Sequence, residues 1–345
     1  MTLLSEIMEQ PERVDGLFET QRKHIEAIAQ EIKRRKVRYI YLAARGTSDN
    51  AGRYAKYLLG ATNGIPIALA APSLFTCYSQ PPRLQDALVI GISQSGRSPD
   101  IVNVLDEGNK QGCLTLAITN DINSPLAKSA NLTLDICAGE EKSIAATKTY
   151  TAQLMAVAML SAALSMNPGQ WEDLTNIGRW MKETLQLHDK IAEISNRFRD
   201  LNRTVVLGRG FNHCTAFEWA IKLKEMTYVF AEAYSFADFQ HGPIAIVEKD
   251  FPIMVVSPQG VISAAFLELI KTLHNEFQAK LVIISNDQET LSYAHSPLPI
   301  PAGIPEWLTP LVCILPAQLF AYHLTLAKGI DPIHLRNIQK VTETL

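Results

Sequence analysis

The stretch Ala87-Leu88-Val89-Ile90-Gly91-Ile92-Ser93-Gln94-Ser95-Gly96-Arg97-Ser98-Pro99-Asp100 runs from an apolar segment through a serine-rich turn into a helical pattern that begins at Ile101. A short apolar run that ends in small polar residues and gives way to a helix is one half of a parallel βαβ unit. Two further runs, Tyr39 to Ala43 and Leu114 to Ile118, have the same character and the same kind of ending. Ahead of them, from about Leu3 to Arg35, apolar residues recur at helical spacing against a heavily charged opposite face, which predicts an opening helical segment.

The order then returns. Thr204 to Leu207, Ile253 to Val256 and Leu281 to Ile284 repeat the three runs at a displacement of roughly 165 residues. Arg45-Gly46 is answered by Arg209-Gly210, Ser93 and Gly96 by Ser257 and Gly260, and Thr119-Asn120-Asp121 by Ser285-Asn286-Asp287. The expected fold is therefore α/β, with two tandem doubly wound parallel-sheet subdomains in an α-β-α sandwich. The expected boundaries are a helical segment at 1–35, a first domain at 36–166, a connector at 167–195 opening on the polar stretch Asn167 to Asp173, a second domain at 196–328 and a tail at 329–345. Such sheets bind ligands beyond the carboxyl ends of their strands, near a switch in strand order.

Composition narrows what those ligands are. The chain has 345 residues, 47% of them hydrophobic and 19% charged, enough for a sizeable core. A formal net charge of -3 offers no basic excess of the kind that binds nucleic acid. The acidic residues Glu6, Glu9, Glu12 and Asp15 at the start are unlike an export signal, and a cytoplasmic location is expected. Thr151 to Ser165 is short for a membrane span, and Leu308 to Leu326 is interrupted by Pro310, Pro316, Gln318 and His323, so both are read as buried helices. Cys77, Cys113, Cys137, Cys214 and Cys313 are scattered without a metal-ligand spacing and are read as reduced core residues. No metal or organic cofactor is expected.

In Ser93-Gln94-Ser95-Gly96-Arg97-Ser98-Pro99-Asp100, hydroxyls and a glycine meet a helix start. The first-turn N–H groups, the helix dipole and small hydroxyl donors together favour a phosphate there. The alternative is that Ser98 or Asp100 only caps the helix. Ala44-Arg45-Gly46-Thr47-Ser48-Asp49-Asn50 ends the first strand in a similar way and forms a second wall if the two turns share a crevice, or a plain turn and cap if they do not. No GxGxxG or Walker sequence follows a strand, which favours a small phosphorylated metabolite over a nucleotide. Further on, Glu218, Lys222 and Glu225 have the spacing of a solvated ion-pair stripe on a helix. Residues 231–243 read as a loop with one histidine, His241, and the C-terminus, with Lys340, as a frayed tail.

These residues resemble the double sugar-isomerase-domain (SIS) proteins, whose repeats are flavodoxin-like, and in particular the isomerase half of glucosamine-6-phosphate synthase. The resemblance spans nearly the whole chain and rests on Gly46-Thr47-Ser48, Ser93-Gln94-Ser95-Gly96, Ala145-Ala146-Thr147-Lys148, Leu223-Lys224-Glu225, Glu232-Ala233-Tyr234, His241-Gly242-Pro243 and Lys340. It implies a sugar-phosphate site formed by Gly46, Thr47, Ser48, Ser93, Gln94, Ser95, Ser98, Ile144 and Ala146. It also implies an acid/base glutamate at Glu225, a neighbouring lysine at Lys222, a ring-opening histidine at His241, a C-terminal lysine at Lys340, and a homodimer in which His241 crosses to the partner's site. Arg97-Ser98-Pro99-Asp100 departs from the synthase pattern, as does Ala146, and Thr2 stands where the synthase exposes a cysteine, so a glutaminase domain is not expected. With these departures the chain looks like the synthase-related second type of glucosamine-6-phosphate deaminase, giving fructose 6-phosphate and ammonia. Alternatives are an isomerase or deaminase of another sugar phosphate, and a catalytically silent phosphosugar-binding regulator. For Lys340 the resemblance leaves two roles open, a Schiff base with the ketose or closure of the tail over the substrate.

Overall fold

The computed structural model describes residues 2–165 and 167–340. They divide into two compact units, one made of Glu12–Lys142, Ala146–Asn176 and Gln339–Leu345, the other of Met1–Pro11, Ser143–Ala145 and Ile177–Ile338. The chain opens on helices α1 (Leu3–Met8) and α2 (Gln10–Arg34) rather than on one continuous helical segment. Glu9 closes α1, and Pro11 falls in the first turn of α2, the one part of a helix where a missing N–H is tolerated.

The first-repeat unit is built on five parallel strands, β1 (Tyr39–Ala43), β2 (Ile67–Leu69), β3 (Ala87–Ser93), β4 (Leu114–Thr119) and β5 (Leu132–Asp135), in the order β2-β1-β3-β4-β5. The helices that follow these strands are α3 (Gly46–Asn63), α4 (Ser73–Thr76), α5 (Pro99–Lys110), α6 (Pro125–Ser129), α7 (Lys148–Ser165) and α8 (Pro168–Leu174). Side chains alternate across a strand, so Tyr41, Val89 and Ala117 turn one face of the sheet to Ile101, Val104 and Leu105 of α5. α3 and α7 lie against each other. The predicted connector begins helical, with Asn167 accepting a hydrogen bond from the Gly169 N–H at 3.0 Å to cap α8.

Helices α9 (Ile177–Leu185) and α10 (His188–Asn196) lead into the second sheet, whose strands are β6 (Arg203–Gly208), β7 (Phe230–Ser235), β8 (Pro252–Val256), β9 (Lys280–Ser285) and β10 (Ser296–Pro299). Its order, β10-β9-β8-β6-β7, is the first sheet's order strand for strand. Both sheets are the doubly wound arrangement in which the second strand lies outside the first and the third, fourth and fifth extend the other way. Helices α11 (His213–Thr227), α12 (Phe236–Gln240), α13 (Ser263–Asn275), α14 (Gln288–Ser292) and α15 (Thr309–Ala327) complete the unit. Phe266, Ile270 and Leu273 of α13 pack with Phe236 and Phe239 on Val205, Val255 and Ile283. Fully burying a side chain of this size stabilises the fold by roughly 1.5–3 kcal/mol.

Of the residues read as loop at 231–243, those up to Gln240 are instead β7 and α12, while His241 and Gly242 form the turn that follows. β7 is an edge strand whose burial alternates, so it lacks the continuous apolar run that marks a central strand. Among the described residues one helical stretch, Glu306–Ala327, is long and apolar enough to cross a membrane by length and composition alone, and 78% of its apolar 18-residue window is buried within the protein. It packs on α9, α10 and α11. Among the described residues no two cysteines form a disulfide. Cys113, Cys214 and Cys313 are buried as expected of core residues, whereas Cys77, just after the short α4, is exposed.

Candidate functional site

The strand order of the first sheet reverses between β1 and β3, and the turns that follow these two strands are tied together there. Arg45, at the N-cap position of α3, donates from Nε to Asp100 Oδ2 at 2.7 Å, and Asp100 is fully buried in the first turn of α5. The turn after β3 is held by its own serines. Ser93 Oγ accepts the Gly96 N–H at 3.1 Å, Ser95 Oγ accepts the Arg97 N–H at 3.3 Å, and the Gln94 carbonyl accepts the Asn120 N–H at 3.2 Å. Gly96 has φ +61, and a Cβ on it would stand 2.1 Å from Ser124 Oγ, so the loop passes where only glycine fits. Ser98 occupies the N-cap position of α5 without a side-chain cap bond. The capping alternative for this serine therefore falls away.

After β1, Gly46 starts α3 with φ +53 and Thr47 follows it in the first turn. Ser48 is buried, its hydroxyl accepting from Gln153 Nε2 at 3.0 Å. Asp49 in the same turn has its pKa raised by burial, against the opposing pull of Arg53. Next to the serine loop a cleft of ≈ 240 Å³ is lined by Gln94, Ser95, Arg97, Asn120, Glu141 and Lys340. Lys340 Nζ is 2.5 Å from Glu141 Oε2. Glu141, with no exposed side-chain surface, also accepts the N–H groups of Thr147 at 2.9 Å and Thr149 at 3.1 Å and the Thr149 hydroxyl at 2.9 Å. One carboxylate thus orders the approach to α7 and holds Lys340 at the cleft. Of the tail expected at 329–345, residues 341–345 lie outside the described residues.

In the second-repeat unit, α11 brings Lys222 to Glu225 at 2.6 Å and to Glu218 at 3.5 Å. This corrects the solvated stripe expected from spacing: Lys222 keeps 1% of its side-chain exposure, Glu218 none and Glu225 26%. The reason is packing, since α11 lies against β6, β7 and α15, and Trp219 meets Phe320 edge-to-face at 5.7 Å. Charged groups that remain in such a place must be paired. His241 is exposed at the end of α12, its N–H donating to the Asp238 carbonyl at 3.1 Å. Among the described residues its imidazole makes no hydrogen bond. Ile144 and Ala146 are both half-buried, Ile144 assigned to the second-repeat unit and Ala146 to the first. Spacing gave no sign of Glu141 or Arg97 as lining residues, and Asn120 was visible only as a member of the repeat.

Two matching doubly wound sheets, the first with a serine-rich loop after its third strand, define a tandem-repeat α/β protein. The SIS domain family matches the chain twice, over residues 33–163 and 197–328, and the chain belongs to it. Glutamine–fructose-6-phosphate aminotransferase (isomerizing) of Methanothermobacter thermautotrophicus is 33% identical over 339 residues, which are 98% of this chain and 56% of that protein. The chain spans little more than half the length of the curated relatives it matches. The solved C-terminal domain of glucosamine-fructose-6-phosphate aminotransferase from Francisella tularensis superposes with a TM-score of 0.85 at 30% identity, over 95% of this chain and 96% of that one. Glucosamine-6-phosphate deaminase of Thermotoga maritima superposes at 0.82 over 100% of both chains, and its 22% identity makes that a likeness of fold.

Proposed function

We propose that this chain converts glucosamine 6-phosphate to fructose 6-phosphate and ammonia, with 36–166 and 196–328 as its two working repeats. The observation that carries the reading is the ≈ 240 Å³ cleft, where the serine loop after β3 and Lys340 line one space. Ser93, Gln94, Ser95 and Ser98, with Gly46, Thr47 and Ser48, take the phosphate, which the start of α5 and the hydroxyl donors favour. Ile144 and Ala146 line the sugar. His241 opens the ring by moving a proton from the C1 hydroxyl to the ring oxygen.

Glu225 then takes the proton from C2 and returns it to C1 while O1 gains a proton and the nitrogen gives one up, so the C1 aldehyde becomes a C1 alcohol and the C2 amine a C2 imine. Lys222, fixed 2.6 Å from Glu225, stabilises the charge that develops on O1 during this transfer. Water adds to the C2 imine, the C–N bond breaks, and ammonia leaves behind the C2 ketone. Lys340, held by Glu141, keeps the tail over the bound sugar. The exposed position of His241 supports a homodimer in which each copy lends this residue to the other.

The test is to incubate the purified chain with glucosamine 6-phosphate and follow ammonia and fructose 6-phosphate together. Both should appear in equal amounts. Binding of the sugar phosphate without either product overturns the reading in favour of a silent binding protein, and turnover of neutral sugar phosphates alone favours a plain isomerase. Glu225→Gln should abolish turnover and leave affinity for the sugar phosphate, whereas Ser95→Ala should chiefly weaken that affinity.

A further inference from the structure

The second sheet ends in a crevice built like the first. Ser257 directly follows β8 as Ser93 closes β3, and the Asp287 N–H donates to Ser285 Oγ at 3.0 Å as the Asp121 N–H does to Thr119 Oγ1 at 3.3 Å. Asn286 Oδ1 accepts the Gln259 N–H at 2.7 Å and so fixes the loop ahead of the 13-residue helix α13. The volume differs sharply. The crevice lined by Arg209, Asn212, Ser257, Pro258, Ile262 and Glu306 holds ≈ 10 Å³, against ≈ 240 Å³ in the first repeat. That is room for one water at most.

Glu306 is what fills it. Its Cδ lies 2.1 Å from where a Cβ on Gly260 would stand, and its Oε2 accepts the Val261 N–H at 2.9 Å. The Val261 N–H it accepts belongs to the turn just ahead of α13, on the side where the helix dipole favours an anion. A second observation points to an anion larger than a carboxylate. Ser257 is 2% exposed, and its hydroxyl, which lines this crevice, is buried without a hydrogen-bond partner. Arg209 also lines it, with its guanidinium 4.5 Å from the centre of the Phe236 ring. In the first repeat Glu141, which lies between β5 and α7 as Glu306 lies between β10 and α15, turns instead to Thr147, Thr149 and Lys340.

We propose that the second repeat retains a phosphate-type crevice and occupies it from within, Glu306 supplying the anion, so that one of two similar crevices is open to a phosphate monoester. The test is Glu306→Ala, with inorganic phosphate as the probe and chloride at matched ionic strength as the control. Thermal melting of the variant should rise with phosphate more steeply than that of the wild type, by about 2–4 °C for each tenfold increase above the Kd. Adding Ser257→Ala should remove the extra rise. The readout is the difference from wild type, so it stands apart from whatever the first crevice binds. A folded variant with the wild-type phosphate response overturns the proposal. Glu306→Ser, whose hydroxyl suits a helix start, serves if the alanine variant does not fold. Failure of both to fold, with no rescue by phosphate, also overturns it, because Glu306 would then be a structural plug.

Discussion

Lys222 shows how far a single side chain depends on its surroundings. It is one of the largest fully buried side chains of the chain, and Glu218 beside it has no exposed surface. Lys222→Met leaves that carboxylate buried without its cation, and should lower unfolding free energy by about 3–5 kcal/mol, measured by urea denaturation. Lys224→Met, on the exposed side of the same helix, should change it by less than about 0.5 kcal/mol. Equal effects would place Lys222 in solvent. His323 offers a pH test. Its Nε2 is buried without a partner, its ring lies 4.6 Å from that of His188, and burial and then His188 lower its pKa from 6.5 to about 4, with Asp189 pulling the other way. The unfolded imidazole takes up its proton first, so this contribution is complete above pH 6.5 and is lost as pH falls toward 4. After allowance for partial exposure the loss is about 1–2 kcal/mol. His323→Gln should flatten the stability profile across that window by this amount, and an unchanged slope would remove the assignment. Neither burial was legible in the sequence. Spacing on one helix says which residues share a face, but not that a helix some 90 residues on covers that face.

At the scale of elements, the central strands were legible and the outer ones were not. β1, β3 and β4 are continuous apolar runs because helices cover both faces, whereas β2, β5, β7 and β10 are short or half-exposed, and β10 carries Pro297 and Pro299, which only an edge strand accepts. The serine loop was legible because its chemistry is local. Its partner was not: Glu141 gains its role from Lys340, close to the other end of the chain. The loop's shape also hangs on a neighbour, since Ser124, which caps α6 through the Ala127 N–H, sits where a Cβ on Gly96 would go. Gly96→Ala should therefore cost about 1–3 kcal/mol in stability and abolish sugar-phosphate binding in calorimetry. Ser124→Gly in the same chain should restore part of the stability by relieving the collision, while the positive φ keeps it below wild type. Full additivity of the two changes would show that the residues do not meet.

At the scale of the whole molecule, the duplication was legible from three paired motifs, and identical strand orders in the two sheets bear it out. The repeats have nevertheless diverged in content. The first carries the cleft beside the serine loop, and the second carries the buried Lys222 with its half-buried partner Glu225 and the exposed His241. If His241 serves the partner copy's site while Glu225 serves its own, the two defects can be separated onto different copies. Glu225→Gln and His241→Ala, each inactive alone, should then regain activity when unfolded and refolded together. Random pairing makes half the dimers mixed, each with one site intact and one doubly defective, so the mixture should reach about a quarter of wild-type activity. Ammonia release at equal total protein measures it. A mixture as inactive as its components would mean that Glu225 and His241 serve a site from the same copy, or that the chain works as a monomer, and sedimentation of the wild type distinguishes these.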